Sequence, residues 1–358
     1  MDLAALRRNF DRLAERAGGA SSLLVMVKAG GYGLGALDAA RVAAEAGAWG
    51  LGVATVDEGA ELRRAGREER IVVFSACPPV DAEALVALDL EPAVSSLEAL
   101  RSFAGAATKG RPLPVHLEVD TGMGRLGLAD CEADRWIPAV AEVLGTGTVT
   151  AASTFTHFHS AEVDPESVRE QWRRYGAVLE RMRESGLDPG LTHAANSPAL
   201  LGPVAVRADL ARPGIHLYGG GEHAAEPVAA VRARVLDVRT VAAGDSVGYG
   251  ATWTATSDAR LATLGIGYAD GLPWALSNRG AALLAGRKAP IRGGVCMDMT
   301  VVDVSDGPPT RAGDVATLLG RDGDATIGLG ELAEQCGSMD YEILTGWGPR
   351  LPRVYGPR

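Results

Sequence analysis

Short apolar runs alternate with helical segments over about the first 220 residues. Leu23–Val27 is uninterrupted and contains two valines, which suits a strand covered on both faces, as in a parallel sheet. Segments rich in Ala, Leu and Arg, such as Ala36–Ala46 and Val56–Ala65, lie between the runs. The remaining runs are Gly50–Thr55, Ile71–Ala76, Pro92–Ser95, Val115–Val119, Ala152–His157, Leu191–Ala195 and a short one that leads into Ala211–Gly219. The pattern predicts eight β-then-α steps.

Eight such steps are what a closed (β/α)8 barrel requires, whereas a doubly wound sheet usually stops at five or six strands. We therefore predict an α/β fold with a TIM-type (β/α)8 barrel. Reactive side chains of such a barrel lie at the C-terminal ends of its strands. Polar residues do follow the runs, namely Lys28, Glu118, Asp120, His157, Asn196, Ser197 and Arg212.

The pattern changes near Pro227, where the chain becomes rich in valine and glycine. Short strand-like runs follow, and helical periodicity returns only around Leu329–Cys336. We predict a barrel domain over 1–226 and a mainly β domain over 227–358. The runs of the second domain are Ala233–Val241, Arg260–Ile266, Ala289–Arg292, Thr300–Val304 and Asp314–Leu319.

Composition narrows the function further. A formal net charge of -10 argues against a surface that binds nucleic acid or an anionic membrane, because such a surface needs clustered Lys and Arg. Four scattered cysteines without CxxC spacing indicate neither a metal site nor a disulfide framework, and they suit a reducing cytoplasm. The amphipathic start, with Leu3, Leu6, Phe10 and Leu13 at helical spacing, is unlike a signal peptide, and no run has the length of a membrane span.

Lys28 is the first candidate for chemistry. It ends the first predicted strand, and four glycines between positions 30 and 35 follow it, so backbone can approach a ligand closely there. Loops seven and eight of a barrel commonly bind phosphate, and here they offer Asn196–Ser197 and Gly214–Ile215. A Schiff-base amine beside a phosphate site is what pyridoxal phosphate needs. Sugar-phosphate aldolases combine the same two features, so the residues alone leave both open.

The sequence resembles the alanine racemase family in motifs that run in family order across most of the chain. The motifs are VMVKAGGYGLG, VDTGMGRLG from Val119, FTHF from Phe155, AANS from Ala194, RPGIHLYG from Arg212, VGYGATWTA from Val247, IGYADG from Ile266, SNRG from Ser277 and VCMDMTVVDVS from Val295. The resemblance implies an amino-acid racemase with pyridoxal phosphate as its cofactor.

The resemblance implies two catalytic bases. Lys28 matches the lysine that holds the cofactor covalently and, once freed by substrate, serves as one base. Tyr249 matches the tyrosine that serves as the other base. Inversion needs both, because the planar carbanion left after proton removal must be reprotonated from the opposite face.

The family's arginines match Arg212 and Arg125. Arg212 corresponds to the arginine that bonds the pyridine nitrogen of the cofactor. Because a guanidinium with a pKa above ~12 does not hand over its proton, the ring nitrogen is expected to stay largely unprotonated. Arg125 corresponds to the arginine near the cofactor's phenolic oxygen and the substrate carboxylate, where bidentate geometry fits.

The remaining matches concern cofactor, substrate and subunit contacts. In the family, the residues that match Tyr249, Tyr268 and Met297 come from the second subunit, so a homodimer with shared active sites is implied. His157 matches the histidine stacked beside the pyridine ring. The implied phosphate residues are Tyr32, Asn196, Ser197, Gly214, Ile215 and Tyr218, and the implied substrate residues beside Arg125 are Tyr268, Met297 and Asp298.

Three departures leave the substrate open. Glu118 stands where many relatives have a lysine, often carbamylated, that orients the arginine matched by Arg125; we predict that the glutamate supplies the negative charge directly. Leu34 replaces a histidine, and Gly30–Gly31 replaces a larger, often acidic pair. We assign Pro349 to the position of a tyrosine that bonds the phosphate and narrows the entrance, which predicts a wider corridor.

Three alternatives follow. The chain could racemise or epimerise another amino acid, serine or larger, in specialised metabolism. It could catalyse a different pyridoxal-phosphate reaction such as decarboxylation, although related decarboxylases usually have a glutamate at the position of Arg212. It could be a non-catalytic carrier of the cofactor, but a carrier needs no second base such as Tyr249.

Overall fold

The computed structural model describes residues 1–221 and 225–356. The chain divides into two compact units. The barrel unit comprises Arg7–Gly31 and Gly35–Leu217, and the C-terminal unit comprises Met1–Leu6, Tyr32–Leu34 and Tyr218–Arg358. This division falls at Leu217, and the predicted domain boundary between residues 226 and 227 stays a prediction. Residues 222–224 near that boundary, and the last two residues of the predicted second domain, lie outside the described residues.

The barrel unit is built on parallel strands in sequential order. Strands β1 to β4 are buried at every position, as expected for strands covered on both faces. Leu23 pairs in parallel with Ala211 and so joins the first strand region to the last, which closes the barrel. The strands are β1 (Leu24–Met26), β2 (Gly50–Val53), β3 (Ile71–Val73), β4 (Glu91–Val94), β5 (Leu113–Asp120), β7 (Val149–Phe155), β8 (Leu191–Asn196) and β9 (Leu210–Arg212), with a short β6 (Leu128–Ala129) on β5. The predicted (β/α)8 barrel is confirmed.

Helices follow most of the barrel strands. Several begin at a residue whose side chain caps the first turn: Thr55, Ser96, Asp164 and Asn196 each accept a backbone N–H. The helices are α1 (Leu3–Ala17), α2 (Ala36–Glu45), α3 (Val56–Arg64), α4 (Ala82–Ala87), α5 (Leu97–Ala106), α6 (Ala133–Leu144), α7 (Pro165–Glu184) and α8 (Ser197–Leu201). The buried positions of these helices are mainly apolar, as at Leu62, Leu100 and Ile137.

The C-terminal unit is mainly an antiparallel sheet, as the sequence predicts. Strand β10 alternates buried and exposed positions over its first half, the pattern of a strand with one face on a core. The strands are β10 (Val231–Val241), β11 (Ser246–Val247), β12 (Trp253–Thr254), β13 (Ala259–Leu264), β14 (Ala281–Leu284), β15 (Arg287–Pro290), β16 (Thr300–Asp303), β17 (Val315–Asp322) and β18 (Ala325–Ile327), with helices α9 (Leu329–Cys336) and α10 (Asp340–Thr345). The main sheet has the order β15-β14-β17-β10-β13-β16. The runs that we predicted correspond to β10, β13, β15, β16 and β17, and the sequence analysis missed β11, β12, β14 and β18.

Across residues 1–221 and 225–356, no helix combines the length and apolar character that a bilayer span requires.

Candidate active site

Lys28 stands at the entry to a left-handed turn. The next five residues, 29 to 33, all have positive φ, with values of 52°, 60°, 64°, 54° and 78°. Glycine adopts this region freely, which accounts for Gly30 and Gly31, but a non-glycine residue such as Ala29 rarely does. The turn is held by Gly31 N–H, which donates to Val27 O at 2.8 Å. Backbone strain of this kind is typical of functional sites.

The surroundings of Lys28 favour its neutral amine. Burial lowers the pKa of Lys28, and the positive charges of Arg125 and Arg212 lower it further, whereas Glu58 acts in the opposite direction. A neutral amine is the form that attacks an aldehyde, so this environment suits a Schiff-base lysine. The charges of Arg125 and Arg212 also give this end of the barrel a positive potential for an anionic ligand.

Arg212, the last residue of β9, is buried and fixed by four acceptors. Its Nη2 donates to Thr156 O at 2.8 Å, to Ala194 O at 3.1 Å and to His157 Nδ1 at 3.1 Å. Its Nη1 donates to His193 Nδ1 at 2.7 Å. Burial lowers the pKa of Arg212 to about 10, below the value above ~12 that we expected. The guanidinium nevertheless stays charged near neutral pH, so it remains a donor that keeps its proton.

His157 is held as a neutral ring. Burial, followed by the charges of Arg212, Arg125 and Lys28, lowers the pKa of His157 to about 3. Because Arg212 can only donate, Nδ1 of His157 accepts, and the ring proton lies on Nε2. The structure thus brings four of the predicted residues together at the carboxyl ends of the barrel strands, namely Lys28, Arg125, His157 and Arg212.

Glu118 lies within the same electrostatic cluster. Its side chain is buried on β5, and its Oε2 has no hydrogen-bond partner among the described residues. Burial raises the pKa of Glu118 to about 7, although Arg125 and Arg212 oppose that rise. Gly127 makes room for it, because a Cβ at Gly127 would lie 3.2 Å from Glu118 Cγ and 2.8 Å from Asp120 N. An orphaned carboxylate oxygen beside two arginines is available to orient a guanidinium.

The loop that carries Arg125 is shaped by Asp120. Asp120 Oδ1 accepts backbone N–H bonds from Gly122 at 2.9 Å and Gly124 at 3.1 Å. Arg125 itself is exposed. Its charge still shifts the pKa values of Lys28, Glu118 and His157, so Arg125 lies near these three residues.

The predicted phosphate loops also meet. Gly214 N–H donates to Ser197 Oγ at 2.9 Å, so the two loops present an amide and a hydroxyl to each other. Asn196 accepts from Ala199 N through its side chain and so caps α8. Ile215 is buried beside Gly214. Because Ser197 Oγ accepts from Gly214, its hydroxyl hydrogen can donate to a ligand oxygen atom.

Two tyrosines predicted to serve the phosphate belong to the C-terminal unit. Tyr32 and Tyr218 stack with ring centroids 4.7 Å apart, and burial raises the pKa of both. A third ring, Tyr341 in α10, lies 6.3 Å from Tyr32. We missed Tyr341 in the sequence, and its aromatic character at the start of a short helix was the only signal. It supplies a phenol near Tyr32. Pro349 is exposed, and the wider corridor inferred from it stays a prediction.

The other predicted residues of the C-terminal unit lie on one surface. Tyr249 and Tyr268 line a common pocket of about 620 Å³ with Trp274. Ala269 N–H donates to Met297 O at 3.0 Å, which ties the Tyr268 turn to the Met297 loop. Tyr249 is 81% exposed, Trp274 67% and Met297 52%. Large apolar side chains this exposed and this close indicate an interaction surface.

Asp298 is the predicted substrate residue whose side chain is already engaged. Arg350 Nη1 donates to Asp298 Oδ1 at 2.7 Å, and Arg350 Nε lies 3.1 Å from Asp270 Oδ1. Asp270 in turn accepts from Gly267 N at 2.9 Å. Arg350 therefore connects the Tyr268 turn, the Met297–Asp298 loop and the C-terminal segment.

Two sequence profiles match this chain. The profile described as alanine racemase, N-terminal domain, matches residues 1–222, and that described as alanine racemase, C-terminal domain, matches residues 228–355. The chain belongs to the alanine racemase family. The resemblance inferred from the motifs is confirmed.

Alanine racemase relatives cover nearly the whole chain. The alanine racemase of Sorangium cellulosum is 40% identical over 373 residues, which span 99% of this chain and 97% of that protein. The solved alanine racemase from D-cycloserine-producing Streptomyces lavendulae gives a TM-score of 0.94 at 35% identity, covering 99% of this chain and 95% of that one.

Two further solved structures of this fold bear on cofactor and substrate. The alanine racemase from Bartonella henselae with covalently bound pyridoxal phosphate gives a TM-score of 0.88 at 29% identity, covering 99% of this chain and 98% of that one. A histidine racemase from Leuconostoc mesenteroides subsp. sake gives a TM-score of 0.89 at 30% identity, covering 99% of this chain and 96% of that one.

The alanine racemase family depends on pyridoxal phosphate, and the side chains of this member fit that group. The barrel unit offers an amine with a lowered pKa at Lys28, a buried guanidinium at Arg212 and the hydroxyl of Ser197, which Gly214 N–H holds in place. These are the groups that an aldehyde, a ring nitrogen and a phosphate require. No group of three or more metal-ligating side chains lies within the part of the chain that the structure describes.

Proposed function

We propose that the chain is a pyridoxal-phosphate-dependent racemase that interconverts L- and D-alanine. The observation that carries the proposal is the cluster of Lys28, His157 and Arg212 at the carboxyl ends of the strands of a barrel that belongs to the alanine racemase family. When bound, pyridoxal phosphate withdraws electrons from the α-carbon of the substrate and so acidifies its hydrogen.

The side chains divide the remaining work. Lys28 would hold the cofactor, and Arg212, kept charged and fixed by four acceptors, would face its ring nitrogen as a donor that gives up no proton. His157 would lie beside the ring, and Ser197, Gly214 and Ile215 would bind the phosphate, with Asn196, Tyr32 and Tyr218 as further candidates. Arg125 would bind the substrate carboxylate, oriented by Glu118.

Two bases on opposite faces account for inversion. Lys28 and Tyr249 would each remove the α-proton of one enantiomer and return a proton to the other face. The phenol of Tyr249 is exposed in the single chain, so we propose a homodimer in which Tyr249, Tyr268 and Met297 complete the partner's site. The exposed apolar surface around Trp274 supports that assembly.

Domain roles and location follow from the same proposal. Residues 1–226 would form the cofactor-binding domain, and residues 227–358 would complete the partner's active site. Free thiols at all four cysteines suit a cytoplasmic enzyme.

A second candidate is racemisation of another amino acid. The histidine racemase of the same fold supports this alternative, because it is as similar to this chain as some alanine racemases are. The wider corridor predicted from Pro349 would also favour a larger substrate. Decarboxylation has less support, because Arg212 cannot protonate a ring nitrogen as a carboxylic acid would.

The test uses the purified chain with pyridoxal phosphate and single enantiomers of a panel that includes alanine, serine and histidine. Products are resolved on a chiral column. We expect alanine to be converted fastest in both directions. Lys28→Ala should abolish conversion and the visible absorbance of the bound cofactor, whereas Lys109→Ala, at an exposed turn, should change neither. Faster conversion of another amino acid would replace alanine as the proposed substrate. Release of carbon dioxide without inversion would overturn the proposal that the chain is a racemase.

A further inference from the structure

A continuous chain of hydrogen-bonded side chains crosses the inside of the barrel from Arg212 to the opposite end. We call it the barrel relay. Its middle members, Ser153, His116 and His193, have no exposed surface, and Glu91 is buried as well. The mechanism proposed above uses none of these four. The barrel relay consists of Arg212, His193, Ser153, His116, Glu91 and Arg70.

Every link of the barrel relay is short. Beyond the 2.7 Å bond from Arg212, His193 Nε2 lies 2.8 Å from Ser153 Oγ, and Ser153 Oγ lies 2.5 Å from His116 Nδ1. His116 Nε2 lies 2.9 Å from Glu91 Oε2, and Arg70 Nε lies 2.9 Å from Glu91 Oε1.

The barrel relay joins the two ends of the barrel. Arg212 ends β9 at the carboxyl face, whereas Glu91 begins β4 at the amino face. Ser153 pairs with His116 in the register of β7 and β5, so the two side chains lie side by side on neighbouring strands. The relay therefore follows the tilt of the strands from the candidate site to the far end.

With one proton on each histidine ring, the chemistry of the two ends fixes the direction of every hydrogen bond. Arg212 can only donate, so His193 Nδ1 accepts and the ring proton lies on Nε2, which donates to Ser153. At the other end an ionised Glu91 can only accept, so His116 carries its proton on Nε2 and accepts at Nδ1. Ser153 receives one bond and donates one. Five groups thus form a single sequence of donors that points from Arg212 to Glu91, and Arg70 donates to Glu91 from the other side.

The charges along the relay agree with this direction. Burial, followed by the charge of Arg212, lowers the pKa of His193 well below its usual value, so the ring is neutral. The pKa of Glu91 is lowered: burial opposes ionisation, but the hydrogen bonds from His116 and Arg70 and the charge of Arg70 outweigh it. Trp49 packs against this end, with Arg70 4.6 Å above its ring.

We propose that His193, Ser153 and His116, anchored by Glu91, are positioning residues for Arg212. Hydrogen bonds that run in one direction polarise one another, and the negative end at Glu91 makes each successive acceptor stronger. His193 Nδ1 becomes a fixed, strong acceptor that holds the buried guanidinium in one orientation. The proposal rests on the proposed function only in that Arg212 faces the cofactor.

The first experiment determines which ring nitrogen of each histidine carries the proton, and it needs no substrate. The full-length holoenzyme is labelled with 15N-histidine, and ring nitrogens are correlated with their protons by NMR. The chain has 6 histidines, so variants at His157, His159, His216 and His223 identify the four signals outside the relay. We expect each ring of His116 and His193 to carry its proton on Nε2, and His193 not to titrate between about pH 5.5 and 9. A proton on Nδ1 in either ring, or titration of His193 to imidazolium, would overturn the proposal.

The second experiment breaks the relay in the middle. Ser153→Ala removes the acceptor of His193 but leaves His116 bonded to Glu91. We expect the slowly exchanging Nε2 proton of His193 to be lost while that of His116 stays. The turnover number should fall about tenfold with little change in KM, which is the effect of one hydrogen bond on a buried group.

Matched variants separate positioning from packing. Ser153→Thr keeps the hydroxyl and should retain activity within about twofold, and thermal melting reports the stability of each variant. If Ser153→Ala turns over as wild type does, the relay only holds the fold and the proposal fails. If Ser153→Thr does not fold, the NMR result on the wild type still decides. An enzyme inactive on alanine would refute the proposed function and leave the NMR result intact.

Discussion

Glu58 Oε1 accepts the backbone N–H of Ala29, the residue after Lys28, at 2.6 Å. Its other oxygen accepts from Ala54 N at 2.7 Å, just beyond the end of β2. Thr55 and Glu58 have the spacing of a capping box, and Thr55 does accept from Glu58 N. The carboxylate of Glu58, however, bridges the ends of two barrel strands, so a common helix-start motif also secures the left-handed turn.

Glu58→Ala should loosen the Lys28 turn. Two backbone donors lose their acceptor, so we expect the protein to lose about 1–3 kcal/mol of stability in denaturant titration. Visible absorbance should also develop more slowly when pyridoxal phosphate is added to cofactor-free protein, because Lys28 is less well oriented. Asp57→Ala, next to it on the first turn of α3, is the control for charge at the helix start. If Glu58→Ala and Asp57→Ala have equal effects, Glu58 does not stabilise the Lys28 turn specifically.

Glu118→Gln should raise stability and lower activity. The raised pKa of Glu118, about 7, means that the folded protein binds more protons than the unfolded chain between about pH 4.5 and 7. Stability therefore falls as pH rises through that range, by up to about 3 kcal/mol. The variant lacks this penalty, so cofactor-free Glu118→Gln should melt higher than wild type at pH 8 and equally at pH 4.5.

Activity decides what the ionised Glu118 does. If it orients Arg125, Glu118→Gln should raise KM for alanine about tenfold or more at pH 8, since a charged partner is lost. Glu61→Gln, at an exposed position of α3, should change neither melting nor KM. A variant of Glu118 with unchanged KM would make it a buried acid without a role in binding.

Tyr249→Phe should separate the two bases. Net turnover must fall equally in both directions because the enzyme cannot shift the equilibrium, so isotope exchange is the informative measurement. In deuterated solvent we expect the variant to exchange the α-proton of the enantiomer facing Lys28 and to lose at least 100-fold in exchange from the other, as removal of a general base does. Equal loss from both enantiomers would exclude Tyr249 as the base for one face.

The exposed surface of the C-terminal unit should be a subunit interface. Trp274→Glu places a charge beside Tyr249 and Tyr268. The proposed dimer should therefore dissociate, as measured by analytical ultracentrifugation. Activity per chain should then fall on dilution, because each site lacks its second base. Val163→Glu, at an exposed position of the barrel unit, should leave both unchanged. An active monomer would contradict the shared site.

The sequence alone determined which elements form and which residues end the strands. Alternating apolar runs and helical segments are local patterns, so the eight strands and the position of Lys28 after β1 followed from the chain in order. The motifs indicated the family, and with it Arg212, Arg125 and Tyr249 as candidates. Element ends shifted by a few residues, as at β7, because hydrogen bonds with neighbouring strands set them.

Only the tertiary structure decided what surrounds those residues. The pKa of Arg212 falls because the side chain is buried, and the rings of Tyr32 and Tyr341 lie 6.3 Å apart although more than 300 residues separate them. The barrel relay joins residues from five strands, and no local pattern links His116 to Glu91. Contacts between distant segments depend on how strands tilt and close into a barrel, and side-chain periodicity carries no information about them.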